Sequence, residues 1–144
     1  MKNISKFNET YLNKGIHKYT NQLIKTKIIG NNGDLTKRAE KILSKIYSDS
    51  KIILTHSCTA ALEICALLLN IKKGDEVIVP SFAFSSTANA FALRGAKIVF
   101  ADIKISDCNI DEKKIEQLIT KKTIAIVIVH YAGRCANLKI LKKI

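Results

Sequence analysis

The chain has 144 residues, 24 Lys+Arg against 12 Asp+Glu, a formal net charge of +12, 47% hydrophobic residues, 6% aromatic residues, one Pro and no Trp. That apolar content excludes a disordered tail, and the length fits one domain with a real core. No apolar segment follows the charged start Met1-Lys2-Asn3-Ile4-Ser5-Lys6, and the longest uncharged stretch, between Glu76 and Arg94, carries Pro80, Asn89 and a run of hydroxyls unsuited to a bilayer span. The expectation is a cytoplasmic protein with no membrane partner.

The basic excess sits mainly at the two ends: residues 1–51 hold 11 basic and 4 acidic residues, and residues 101–144 hold 9 and 5. Only Arg38, Arg94 and Arg134 are arginine, whereas phosphate and base readout favours arginine forks. No recognition-helix, RNP-like or zinc-finger pattern accompanies the lysines, so they read as a solvated surface and no nucleic-acid partner is expected. Cys58, Cys65, Cys108 and Cys135 form no C-x-x-C, and His17, His56 and His130 add no ligand spacing. Reduced, mostly buried thiols and no metal site are expected.

In chain order, Glu9 to Lys27 is amphipathic, with Leu12, Ile16, Tyr19, Leu23 and Ile24 at helical spacing. A turn cluster, Ile29-Gly30-Asn31-Asn32-Gly33-Asp34, leads to a second helix over Thr36 to Tyr47, capped by Asp34 or Thr36. Lys51 to Thr55 reads as a short buried strand. Thr59 to Leu69 reads as a helix apolar nearly all round, so it needs cover on several sides. The strand Glu76 to Val79 stops at Pro80. A helix over Ser85 to Leu93 ends at Gly95, and Lys97 to Ala101 is the next strand. Asp111 to Ile119 is a helix with an acidic first turn, Thr123 to His130 holds a fully buried strand, and Asn137 to Ile144 begins another helix.

This alternation predicts an α/β fold: a mostly parallel sheet with helices on both faces. Residues 1–50 form an N-terminal helical segment and 51–144 the sheet domain. Ligands of such sheets bind at the carboxyl ends of the strands. Three such ends stand out. Thr55-His56-Ser57-Cys58-Thr59 places free backbone N–H groups and hydroxyls at a helix N-terminus, an anion site; Ser57 or Thr59 equally reads as a plain cap. It lacks G-x-G-x-x-G and G-x-x-x-x-G-K-[ST], which disfavours dinucleotide and nucleoside-triphosphate folds. Pro80-Ser81-Phe82-Ala83-Phe84 brings two aromatics to a strand end, where a planar ring can stack; a core role is the alternative and fits Phe82 better. His130-Tyr131-Ala132-Gly133 leaves the sheet beside a permissive Gly, with His130 reading as a hydrogen-bonded structural residue.

Taken in order, 55–63 (Thr-His-Ser-Cys-Thr-Ala-Ala-Leu-Glu), 74–90 (from Gly74-Asp75 through Pro80-Ser81-Phe82-Ala83-Phe84 to Ala90), Arg94-Gly95-Ala96 and His130-Tyr131-Ala132-Gly133 resemble the N-terminal part of the DegT/DnrJ/EryC1/StrS family of pyridoxal-phosphate-dependent sugar aminotransferases. Tyr11-Leu12, Gly30 to Gly33 and Thr36-Lys37 fit the same pattern, and the likeness covers essentially the whole chain. It leans toward the branch that makes dTDP-4-amino-4,6-dideoxygalactose for surface polysaccharides. The resemblance implies part of a fold-type-I transferase large domain. It also implies a pyridoxal 5'-phosphate cofactor with its phosphate near Ser57, Cys58 and Thr59 and Phe84 stacked on its ring, a homodimer, and amino transfer from glutamate to a dTDP-4-keto-6-deoxyhexose.

In the family a pyridine-facing Asp, a phosphate-side Ser and the Schiff-base Lys follow the last matching segment, and no lysine of this chain falls at that position. The final helix, from Leu138 to Ile144, is apolar-striped and uncapped, and a sheet of four buried strands leaves open edges. A truncated, catalytically inactive product is therefore expected. The alternatives are a non-catalytic half that complements a separately encoded C-terminal half, and a basic nucleic-acid-binding protein.

Overall fold

The computed structural model describes residues 11–28, 33–48 and 50–144. The expected start of the first helix at Glu9, and residues 29–32 of the turn cluster, lie outside them. Two compact units divide the chain, Met1–Leu54 and Thr55–Ile144. The first holds two amphipathic helices, α1 (Ile16–Thr26) and α2 (Asp34–Ile46), neither of which buries a residue fully. Gly33 occupies the N-cap of α2 with no side-chain cap, so Asp34 acts instead as a first-turn acid facing the helix dipole. Residues 51–55 form no strand, contrary to their apolar pattern, and Ile53 is 60% exposed.

The second unit carries α3 (Cys58–Leu68), β1 (Glu76–Pro80), α4 (Ser86–Ala92), β2 (Lys97–Ala101), β3 (Thr123–Ile126) and α5 (Leu138–Leu141), with single 3-10 turns at Glu112–Lys114, Glu116–Leu118 and Tyr131–Gly133. The sheet has three parallel strands in the order β2-β1-β3. β1 is the centre, and all five of its residues are buried, which is why Val77-Ile78-Val79 reads as an unbroken apolar run. It pairs from Glu76↔Lys97 to Pro80↔Ala101 on one side. On the other it pairs through Val77↔Ala125 and Ile78↔Ile126 after a register shift at Glu76/Val77.

The strand period of two sends side chains to opposite faces. Val77 and Val79 pack with Ala66 of α3 and with Ala90 and Phe91 of α4. Ile78 packs with Ala101, Ile110 and Ile115 on the other face, where Leu141 of α5 also contributes. This is an α/β layer with helical elements on both faces.

The expected helix over Asp111–Ile119 is instead the pair of 3-10 turns at Glu112–Lys114 and Glu116–Leu118, the first capped by Asp111 Oδ1 accepting the Lys113 N–H at 3.2 Å. The anchoring of Glu112 and the full burial of Ile115 decide its path over a stretch too short for a self-sustaining helix. The regular part of β3 ends at Ile126, four residues before His130, and its Ile124 is exposed. α3 buries only Ala66 fully, and Leu67 and Leu68 stay exposed. All four thiols are free, and Cys58, Cys65 and Cys135 are exposed rather than buried.

Topology fixes where a site can form. α4 connects two parallel strands, so its N-terminus lies at their carboxyl edge. α3 leads through residues 69–75 into the start of β1, so its N-terminus points to the same edge.

Candidate functional site

The first part of the site is the N-terminus of α3. Ser57 is its N-cap in extended conformation, and Ser57 Oγ accepts the Ala60 N–H at 3.1 Å. Thr55 Oγ1 donates to the Ser57 carbonyl oxygen at 2.8 Å, which braces the turn from two positions upstream. Ser57 is therefore a cap, as one reading of the sequence had it. The cap uses one acceptor lone pair and leaves the hydroxyl hydrogen available. Among the described residues no group accepts from the N–H of Cys58 or Thr59, two of the four N-terminal donors that an α-helix leaves without an intrahelical partner. Cys58 and Thr59 are both exposed.

The second part is aromatic. Phe84 precedes Ser85, the N-cap of α4, and is 79% exposed. It lines a cavity of about 270 Å³ with Val79, Pro80, Ser85, Ala88, Asn89 and Phe100 at the ends of β1 and β2. Phe82 is 48% exposed, so it is no core residue. Its ring meets that of Tyr131 with centroids 5.0 Å apart and planes at 43°. That pair joins the end of β1 to the segment after β3. His130 has the structural role expected of it: its Nδ1 accepts the Ala136 N–H at 3.1 Å.

The third part is a polar network the sequence did not reveal. Asn109 is 1% exposed; its Oδ1 accepts the Tyr131 N–H at 3.0 Å and its Nδ2 donates to the Arg134 carbonyl at 3.2 Å. Arg134 Nη1 returns a bond to the Ser106 carbonyl at 3.1 Å. Glu112, 6% exposed, pairs with Lys104 at 2.8 Å and accepts the Asn137 N–H at 3.3 Å. Burial acts to raise the Glu112 carboxyl, but the Lys104 hydrogen bond and backbone donors outweigh it and hold the pKa below the usual glutamate value. Lys104 is raised in turn, chiefly by its hydrogen bond to Glu112. At the amino edge of the sheet Glu76 is lowered by hydrogen bonds from Thr120 and Lys97. These partners lie far apart in sequence, and no short motif marks them.

Among the described residues no group of three or more His, Cys, Asp or Glu side chains is placed to hold a metal ion, and no helix is long and apolar enough to cross a membrane. The sequence model of the DegT/DnrJ/EryC1/StrS aminotransferase family matches residues 10–144. The chain belongs to that family.

Individual proteins similar to the chain are consistent with its membership of the DegT/DnrJ/EryC1/StrS family. The UDP-4-amino-4-deoxy-L-arabinose–oxoglutarate aminotransferase of Shewanella sediminis is 45% identical over 99 residues, 69% of this chain and 25% of its own length. Spr1654 of Streptococcus pneumoniae, assigned as a sugar aminotransferase and solved in its PMP form, superposes with a TM-score of 0.78 at 32% identity, over 86% of this chain and 32% of that one. The GDP-4-keto-6-deoxy-D-mannose-3-dehydratase of E. coli, solved with bound hydrated PLP, gives a TM-score of 0.85 at 25% identity, over 94% of this chain and 36% of its own. The chain thus spans between a quarter and a third of the curated relatives it matches. By this likeness the fold is part of the α/β domain of PLP-dependent sugar aminotransferases.

Proposed function

We propose that residues 51–144 are the N-terminal part of the cofactor-binding domain of a sugar-nucleotide aminotransferase, preceded by a helical segment over 1–50, and that they hold the phosphate and one ring face of pyridoxal 5'-phosphate. The α3 N-terminus carries this reading. Its donor set suits a phosphate dianion: the unpaired N–H groups of Cys58 and Thr59, the helix dipole, and the hydroxyls of Ser57 and Thr59. Phe84, exposed at the same sheet edge, suits a planar ring. Solved relatives in PLP and PMP forms lend support.

When bound, the cofactor supplies an electron sink for cleavage of a bond at the amino-bearing carbon. The chain's own residues do the holding. The Cys58 and Thr59 amides would hold the phosphate, Phe84 would cover one face of the ring and shed water from it, and the Thr55–Ser57 bond keeps the turn in shape before a ligand arrives. The amino donor is glutamate and the acceptor the keto carbon of a nucleotide-linked 4-keto-6-deoxyhexose, with dTDP as the carrier, in surface polysaccharide synthesis. A homodimer completes the whole enzyme, which works in the cytoplasm.

By the family pattern the Schiff-base lysine and the pyridine-facing aspartate lie beyond the His130–Gly133 segment, so the 144 residues alone have no turnover. The chain acts only with a C-terminal half supplied in the same or a separate polypeptide. Pyridoxal phosphate followed by borohydride reduction and peptide mapping tests this. We expect scattered, substoichiometric lysine labelling and no transamination; one stoichiometrically labelled lysine with turnover would overturn it.

A further inference from the structure

We infer that Asn109 is a positioning residue for the aromatic wall formed by Tyr131 and Phe82 at the carboxyl edge of the sheet. The inference rests on the functional reading above only where it concerns ligand affinity. Its structural part stands alone.

The segment after β3 adopts a demanding path. Ala132 has φ 49° and Gly133 φ 78°, two consecutive left-handed residues, and a residue with a Cβ is disfavoured there. Something must hold it. Asn109 does so from both ends of the turn: its carboxamide oxygen accepts from Tyr131 N–H and its NH2 donates to the Arg134 carbonyl. Its own backbone is fixed, because the Asn109 N–H donates to Asp107 Oδ1 at 3.0 Å and the Asn109 backbone carbonyl accepts the Lys104 N–H at 2.8 Å. Buried at 1% exposure, it has no water to exchange with, so losing either bond leaves a backbone group unpaired.

The consequence reaches the site through one residue. Tyr131 is held at its backbone by Asn109 and at its ring by Phe82, which belongs to the same loop as Phe84. Releasing the backbone frees the ring, and Phe82 then loses the surface that orders its loop.

Two variants of the full chain separate positioning from plain support. Asn109→Leu keeps the branched shape, in a somewhat larger side chain, and removes both bonds. Asn109→Asp keeps the acceptor for Tyr131 N–H and removes the donor to Arg134. We expect Asn109→Leu to speed exchange of the Tyr131 amide on the order of tenfold, abolish the Phe82–Tyr131 ring NOE and weaken pyridoxamine phosphate binding severalfold, while the β1–β2 amides stay protected. Asn109→Asp should retain the Tyr131 protection and the ring NOE. Persistence of the NOE in Asn109→Leu would overturn the proposal. Should that variant not fold, Asn109→Ala, which also removes both bonds, takes its place, and persistence of the NOE there would overturn the proposal equally. If the unaltered chain fails to bind pyridoxamine phosphate, the functional reading falls and the NOE comparison still decides the role of Asn109.

Discussion

The rings of Phe82 and Tyr131 meet at 5.0 Å across the ends of two neighbouring parallel strands, though 49 positions separate them in sequence. Such a tilted pair contributes about 0.5–1.5 kcal/mol beyond the area it buries. A double-mutant cycle with Phe82→Leu and Tyr131→Leu, read by urea unfolding, should return a coupling energy of that size. Strict additivity would mean the contact is incidental.

Ser57→Ala removes the acceptor for the Ala60 N–H. Loss of an N-cap of this kind costs about 1 kcal/mol, and the unfolding midpoint should fall accordingly. Thr59→Ala, whose hydroxyl caps nothing in the helix, should leave the midpoint unchanged within about 0.5 kcal/mol. Its effect should appear only in phosphate binding.

Phe84→Ala should be nearly silent in thermal unfolding, because the ring is 79% exposed and little apolar contact is lost. Its affinity for pyridoxamine phosphate should drop several-fold through loss of stacking. A large fall in stability would show that Phe84 is structural.

The Glu112–Lys104 pair makes stability depend on pH in a definite direction. The folded pKa of Glu112 is depressed, so its contribution is complete above the unfolded carboxyl's titration range and disappears as pH falls through the lower folded value. Lys104 is raised, so its share persists through neutral pH and is lost only as pH rises past the ordinary lysine range. Glu112→Gln should cost about 1–3 kcal/mol at neutral pH and flatten the acid limb of the stability profile. An unchanged acid limb would place the dependence elsewhere.

How far the residues alone foretell this molecule depends on which forces act locally. β1 and β2 were legible because a central parallel strand is apolar on both faces, and because Pro80 and Gly95, the latter at φ 96°, punctuate them. Ser57, Cys58, Thr59 and Phe84 stood out as small, hydroxyl-bearing or aromatic residues near the starts of helices, and the structure places Ser57 at the N-cap of α3, Cys58 and Thr59 in its first turn, and Phe84 just before Ser85, the N-cap of α4. Ile52-Ile53-Leu54 misled because an apolar run has the same pattern whether or not a neighbouring strand is there to pair with it. The segment from Asp111 to Ile119 misled because Glu112 is claimed by Lys104 and Asn137 from outside it. Asn109 gave no signal at all: its partners lie 22 and 25 positions away, and only the fold brings them together.

The most direct measurement is an amide and aromatic NMR titration of the chain with pyridoxamine phosphate, with inorganic phosphate in parallel. The account predicts saturable shifts of the Cys58 and Thr59 N–H signals with both ligands, and shifts of the Phe84 ring with the pyridine-bearing one alone. Saturable binding that leaves residues 57–60 and Phe84 unmoved, or no binding at any attainable concentration, would contradict it.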